Sequence, residues 1–201
     1  SFDPVVQAVN LIPTATVDTF FELGSCSYIK IKGIAFIGSN KVTGSLMRLR
    51  ANSALSSAPG TLRVKFEECS FLVGDSSSVQ PTIPVRLSNT GQTEFIRCFF
   101  EGGSATQYGV SASVAVQLGD TTSTNPGSGG SPLGDGGTAQ TKFDGCYFKG
   151  DIARIRSEHT VWNDCNFYGK PFSGNAVARI FAPSTSIKTA YERIDNCYND
   201  T

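Results

Sequence analysis

The chain is poor in charge and in the residues that most often carry chemistry. Only 17% of its 201 residues are charged, against ~25% in an average soluble domain. There is a single histidine, His159. With no Gly-x-Ser-x-Gly turn beside it, no Ser/His/Asp order can be assembled. No Cys-x-x-Cys or Cys/His pair has metal-ligand spacing, so no metal is expected. Lys+Arg and Asp+Glu both number 17, giving a formal net charge of zero. That balance lacks the clustered positive charge a phosphate backbone demands, so no nucleic-acid partner is expected. No apolar run approaches the ~20 residues of a membrane-crossing helix, so no membrane insertion is expected. Residues 1–20 lack the basic start and apolar centre of a secretion signal. Helical patterning is also scarce. Its best candidate is a short cap near Asp3–Val9, with Pro4 at a first-turn position.

What the chain does have is repetition. Phe66-Glu-Glu-Cys69-Ser-Phe71 aligns with Phe95-Ile-Arg-Cys98-Phe-Phe100, Phe143-Asp-Gly-Cys146-Tyr-Phe148 and Trp162-Asn-Asp-Cys165-Asn-Phe167. Ile31-Lys-Gly-Ile34-Ala-Phe36 is an earlier copy with Ile in the cysteine slot, and Ile194-Asp-Asn-Cys197-Tyr-Asn199 is a frayed last one. Gly38, Gly102, Gly150 and Gly169 each fall four residues after the slot; Gly74 falls five after, which suggests a bulge. A second motif alternates with the first: Leu46-Met-Arg48-Leu49, Pro84-Val-Arg86-Leu87, Ala115-Val-Gln117-Leu118, Ile152-Ala-Arg154-Ile155 and Val177-Ala-Arg179-Ile180.

Between slots 34, 69, 98, 146, 165 and 197 the steps are 35, 29, 48, 19 and 32 residues. Helical repeats keep a steadier period. The shortest step suits a coil of two or three strands at ~3.3 Å per residue, with loops inserted at the corners of the longer ones. Alternation puts the cysteine slot and the Phe two residues later on one inward face. The apolar residue three before the slot also faces inward if the chain bends between them. Asp, Asn, Glu and Gly fill that bend, as turn chemistry expects. The expected fold is therefore all-β: a right-handed parallel β-helix of about six coils with variable corner loops. Residues 1–24 would form an N-terminal cap segment and 25–201 the β-helix, with a Gly/Ser-rich insertion at 121–137. Of the six cysteines, five share the slot, which favours small buried hydrophobes over disulfides.

These motifs resemble the pectin-lyase-like right-handed β-helix superfamily, whose strands often read aromatic-x-Asn/Asp-Cys-x-Phe-x-Gly. Asn163-Asp-Cys-Asn-Phe-Tyr-Gly169 is close to that pattern, and the match runs from about Ile29 to Tyr198. Within the superfamily the chain is most similar to a bacteriophage tailspike or tail-fibre β-helix module. The resemblance implies a homotrimer on the virion surface, in contact with other virion proteins and with host-surface polysaccharide. It implies a structural and adhesive role. Two alternatives stay open: a glycan-degrading depolymerase, hydrolase or lyase, and a purely structural capsid or tail decoration protein. About six coils is short for a catalytic tailspike domain.

Candidate residues follow from what the repeat leaves facing outward. Arg48, Arg86, Gln117, Arg154 and Arg179, with Arg50 and Arg156, would form a cationic stripe. It would be neutralised by an acidic glycan or by a neighbouring subunit. Phe99, Tyr147, Tyr168 and Tyr198 would form an exposed aromatic row, fit for sugar stacking or for a trimer interface. Glycoside hydrolysis needs two carboxylates. Glu67, Glu68, Asp144, Asp164 and Asp195 gather at one corner, as catalytic pairs or as ordinary turn residues. Glu158-His159 sits on a short connection, as a surface pair or a base. The 121–137 segment lacks the Gly-Lys-Ser/Thr end of a phosphate loop and holds a single Asp, too few hard ligands for calcium. No cofactor is expected.

Overall fold

The computed structural model describes residues 9–24, 26–50, 61–73, 83–88, 90–102, 114–119, 137–168, 180–181 and 188–200. Among these, all regular structure is β-strand and every strand pairing is parallel. The strands form three sheets. Sheet I holds β1 (Val9–Leu11), β4 (Ile34–Ile37), β7 (Ser70–Leu72), β11 (Phe99–Glu101), β15 (Tyr147–Lys149), β18 (Asn166–Tyr168) and β21 (Tyr198–Asp200). Sheet II holds β2 (Val17–Gly24), β5 (Val42–Arg50), β8 (Val85–Leu87), β12 (Val114–Leu118), β16 (Asp151–Arg154) and β19 (Ile180–Phe181). Sheet III holds β3 (Ser27–Lys32), β6 (Thr61–Glu67), β9 (Thr90–Gly91), β10 (Glu94–Ile96), β13 (Thr138–Ala139), β14 (Lys142–Asp144), β17 (Arg156–Asn163) and β20 (Lys188–Asp195).

From β3 onward the chain visits sheets III, I and II in that fixed order, and each circuit pairs with the one before and the one after. Such a path is compatible with a solenoid. The repeat with cysteine supplies the sheet III–sheet I corner, and the second motif supplies sheet II. Part of the segment expected to cap the repeat is built into it: β1 pairs with β4 and β2 with β5. The helix expected near Asp3–Val9 falls on residues 1–8, outside the described residues, up to Val9, which opens β1. Gly74, Gly169 and residues 121–136 of the insertion also lie outside them.

The interior is a set of stacked ladders. In sheet I, Phe36, Phe71, Phe100, Phe148 and Phe167 lie over one another with ring centroids 5.2, 5.2, 4.8 and 5.2 Å apart. In sheet III, Phe66, Phe95, Phe143 and Trp162 follow at 5.1, 5.1 and 4.3 Å. The spacing is the ~4.8 Å between strands, so stacking follows directly from register. The two ladders meet edge to face, as Phe95 and Phe100 do at 5.3 Å, the arrangement that the ring quadrupole favours. Between them Cys69, Cys98, Cys146 and Cys165 are buried and free. Their thiols donate to backbone carbonyls, Cys98 to Phe66 O at 3.5 Å and Cys146 to Phe95 O at 3.3 Å. Burial pushes the Cys98 and Cys146 thiols above their ordinary range, which suits packing and not reactivity. Sheet II adds Met47, Val85, Val116 and Ile152 in register, beside Leu49, Leu87 and Leu118.

One part of the interior is polar. Thr90, Thr138 and Ser157 form one buried column in sheet III, and Thr93, Thr141 and Thr160 form another. The Oγ1 atoms of Thr90, Thr93, Thr138, Thr141 and Thr160 have no hydrogen-bond partner among the described residues.

Candidate functional site

The expected bend before the cysteine slot is a column of left-handed residues. Gly33 (φ 68°), Glu68 (54°), Arg97 (48°), Gly145 (59°), Asp164 (50°) and Asn196 (49°) occupy it. This kink is what lets Phe66 and Cys69, three apart, both point inward. Glycine, Asn and Asp adopt it at little cost.

The bend turns the corner carboxylates outward, where they meet cations. Glu67 lies 2.8 Å from Lys30, 3.0 Å from Lys32 and 3.4 Å from Arg97. Glu68 lies 2.6 Å from Arg97 and 3.3 Å from Lys32. Hydrogen bonds from Lys30 and Lys32 bring the Glu67 carboxyl down to about 2. Arg97, then Lys32, holds Glu68 below its ordinary value. A depressed carboxyl is ionised at neutral pH and unsuited to be a general acid. Glu68 and Asp164 sit three circuits apart in their column, about 14 Å at ~4.8 Å per circuit, beyond the ≈5–9.5 Å of a glycosidase pair. Asp144 and Asp164 are on adjacent circuits, but Lys142 Nζ is 2.7 Å from Asp144 and Asp164 is exposed at its bend. Asp195 pairs with Arg193 at 2.6 Å. His159 is exposed and stacks on Tyr191 at 4.6 Å, five residues upstream of Asp164 along β17 and its turn. The corner is a charge lattice; the described geometry does not bring His159, Asp164 and Glu68 to one point.

The cationic stripe is shorter than its motif suggests. Arg48, Arg86 and Gln117 are in register on sheet II. The next residue in that column is Ala153, not Arg154. A bulge between Val114 and Val116 shifts the pairing, so Arg154 lines up with Leu118. It therefore turns to the inner side, with its side chain only 12% exposed. There it ion-pairs with Glu192, which accepts a hydrogen bond from Trp162 Nε1 at 2.9 Å; Arg154 Nε also donates to Ser157 Oγ at 3.2 Å. Arg154 is an internal tie, not an outward ligand group. Ile180 pairs with Ile152, not Ile155, and Arg179 lies outside the described residues. At the other end Glu22 is in register with Arg48 and takes Arg50 Nε at 2.5 Å. Gln117 is buried and donates to Gly119 O at 2.7 Å. Arg156 begins β17 and so belongs to sheet III.

The aromatic row forms as a stack. On the outer side of sheet I, Phe99 and Tyr147 lie 5.3 Å apart and Tyr147 and Tyr168 5.6 Å, all half-buried. Tyr168 is in register with Lys149, so the row runs diagonally. Tyr198, exposed, is in register with Asn166 and stands off the row.

A second left-handed column, which the repeat does not announce, divides the strands of sheet III. It consists of Tyr28 (φ 59°), Arg63 (55°), Gln92 (53°), Gln140 (54°), His159 (53°) and Tyr191 (53°), all exposed. The flanking pairs Ser27–Leu62, Leu62–Gly91, Gly91–Ala139, Ala139–Glu158 and Glu158–Ala190 put these residues on successive circuits. Arg63 packs over the Tyr28 ring at 4.9 Å, and donates to Tyr28 Oη at 2.5 Å and Gln92 Oε1 at 2.7 Å. Among the described residues no group of three or more His, Cys, Asp or Glu is placed to hold a metal ion.

Fold and surface together define an all-β protein of three parallel sheets whose described outer features are ion-pair lattices and rings. Compared with known proteins, the chain matches no family model, no curated protein and no solved structure.

Proposed function

We propose that the chain is a right-handed parallel β-helix serving as a tailspike or tail-fibre module of a bacteriophage, displayed on the virion as a homotrimer and holding host-surface polysaccharide. Right-handed winding is the general outcome when a strand crosses to a parallel neighbour. The observation that carries the reading is the stacked row Phe99–Tyr147–Tyr168 on an outward sheet face. Rings at such a place are suited to a second surface, and a chain of zero net charge has little self-repulsion against assembly. The row serves as the subunit contact, leaving the other faces for ligand and for neighbouring virion proteins.

Light scattering on the purified chain is expected to give three times its 21.4 kDa mass, and Tyr147→Glu to give monomer. A monomeric wild type overturns the trimer. Incubation with capsular and O-antigen polysaccharides separates the activities. Binding without product supports adhesion; new chain ends that disappear with Asp144→Asn or Asp164→Asn make the protein a depolymerase; absence of binding leaves a decoration module.

A further inference from the structure

The ridge Tyr28–Arg63–Gln92–Gln140–His159–Tyr191 has a composition that its backbone does not ask for. A left-handed residue with a side chain costs about 1–2 kcal/mol relative to the right-handed region, and Gly escapes that penalty. The bend column on the same sheet takes the inexpensive solution at four of its six positions, Gly33, Gly145, Asp164 and Asn196, and its other two, Glu68 and Arg97, pair with each other. The ridge takes it nowhere: its six positions hold Tyr, Arg, Gln, Gln, His and Tyr. Ladder bonds fix the kink from both sides, with Gln92 N donating to Ala139 O and Gln140 N to Glu158 O, both at 3.0 Å. The side chains face outward: Tyr28 is 74% and Tyr191 73% exposed. Strain held at exposed, chemically varied side chains is the signature of a working surface.

We propose that this ridge is the surface that holds polysaccharide, and that its ligand is an uncharged stretch of pyranose residues lying along the stack of circuits. The proposal rests on the adhesion reading above and assigns it a place. Five circuit spacings separate Tyr28 from Tyr191, about 24 Å at ~4.8 Å each. Arg63 covers one face of the Tyr28 ring and His159 one face of the Tyr191 ring, so each offers its other face to sugar C–H groups at the ends. Gln92, whose Oε1 already accepts from Arg63, offers its NH2 to hydroxyls between them, and Gln140 offers both donors and acceptor. Gln92 and Gln140 are both exposed. Charge argues for a neutral ligand. Arg63 already donates to Tyr28 and Gln92, while Lys30, Lys142 and Arg193 on the same sheet are paired with Glu67, Asp144 and Asp195.

The test uses the full chain on an array of purified bacterial capsular and O-antigen polysaccharides, alongside thermal unfolding. Tyr28→Gly and Tyr191→Gly are each expected to weaken binding about tenfold. Gln140→Gly is expected to weaken it less, and Asp164→Gly, in the bend column, not at all. All four should leave Tm unchanged or raise it by about 1–3 °C, because glycine relieves the left-handed strain. If wild type binds a polysaccharide and the ridge variants bind it equally well, the ridge assignment is overturned and adhesion stands. If wild type binds nothing on the array, adhesion falls and the ridge falls with it. A Tm drop of more than about 5 °C in the ridge variants would make the side chains structural and also overturn the assignment.

Discussion

Glu67 shows how much a single residue's meaning depends on its neighbours across circuits. In sequence it stands beside Glu68 at a turn, where a pair of carboxylates reads as acid and base. In the folded chain Lys30, Lys32 and Arg97 surround it. Its carboxyl drops from 4.5 to about 2. Because the folded value is the lower one, its contribution to stability is complete above about pH 4.5 and is lost as pH falls through about 2. Glu67→Gln should therefore lower Tm at pH 7, and the difference from wild type should shrink toward pH 2 and in high salt. An equal difference at pH 7 and pH 2 would remove the ion-pair account. The buried hydroxyls give the opposite sign. Thr141→Val replaces an unpartnered Oγ1 by a methyl of the same shape, and is expected to stabilise by about 1 kcal/mol in urea unfolding. Gly119 has φ +86° and would set a Cβ 2.5 Å from Arg156 O. Gly119→Ala should destabilise by about 2–4 kcal/mol by the same measurement. At this scale the sequence was legible where turn chemistry is conventional, as at Gly33, Gly145, Asp164 and Asn196. The ridge was not, since Tyr, Arg, Gln and His carry no turn signal and their left-handed state is imposed by pairing on both sides.

Strand by strand, the ladders were the most readable part. Period-2 alternation places Cys and Phe inward, and stacking of like residues on like follows from parallel register. Phe95 sits where both phenylalanine ladders meet, stacked on Phe66 and Phe143 and edge-on to Phe71 and Phe100. Phe95→Ala is expected to cost about 3–5 kcal/mol by urea unfolding, and a loss below about 1 kcal/mol would contradict this packing. The arginine stripe misled for a local reason. Motif alignment counts residues, but the bulge in β12 sets two residues against one in β16, and a shift of one residue moves a side chain to the other face. Arg154 thus became a partner of Glu192, itself far along the chain in β20. No local pattern encodes such a tie.

For the whole molecule, the decisive property is that, among the described residues, the strands of each circuit pair with those of the circuits next to it. Stability then resembles a sum of nearest-neighbour terms, and circuits with a neighbour on one side have half the support. The described ends match that expectation. Val9 and Ile12 near the first strands, and Ile194 and Tyr198 in the last, are exposed although their counterparts in the middle are buried or half-buried. Ile194, for example, continues the column of Phe66, Phe95, Phe143 and Trp162, each fully buried. Chain length and composition do not reveal this gradient; the repeat hints at it only in its end copies, with Ile34 in the cysteine slot of the first and Asn199 in place of Phe in the last. The order of pairing shows which circuits have a neighbour on one side only. Amide exchange should therefore be slowest in β10, β11, β12 and β14, faster toward β2 and β5, and fastest in β1, β20 and β21. Glu192→Ala, which removes the acceptor for both Arg154 and Trp162 Nε1, should speed exchange in β20 and β17 while leaving β10 and β11 unchanged. Uniform protection from end to end, or acceleration that spreads to β10, would mean that the chain unfolds as one cooperative block. In that case the ends would need support from a surface outside the circuits described here, and the subunit contact proposed along sheet I is the first place to look for it.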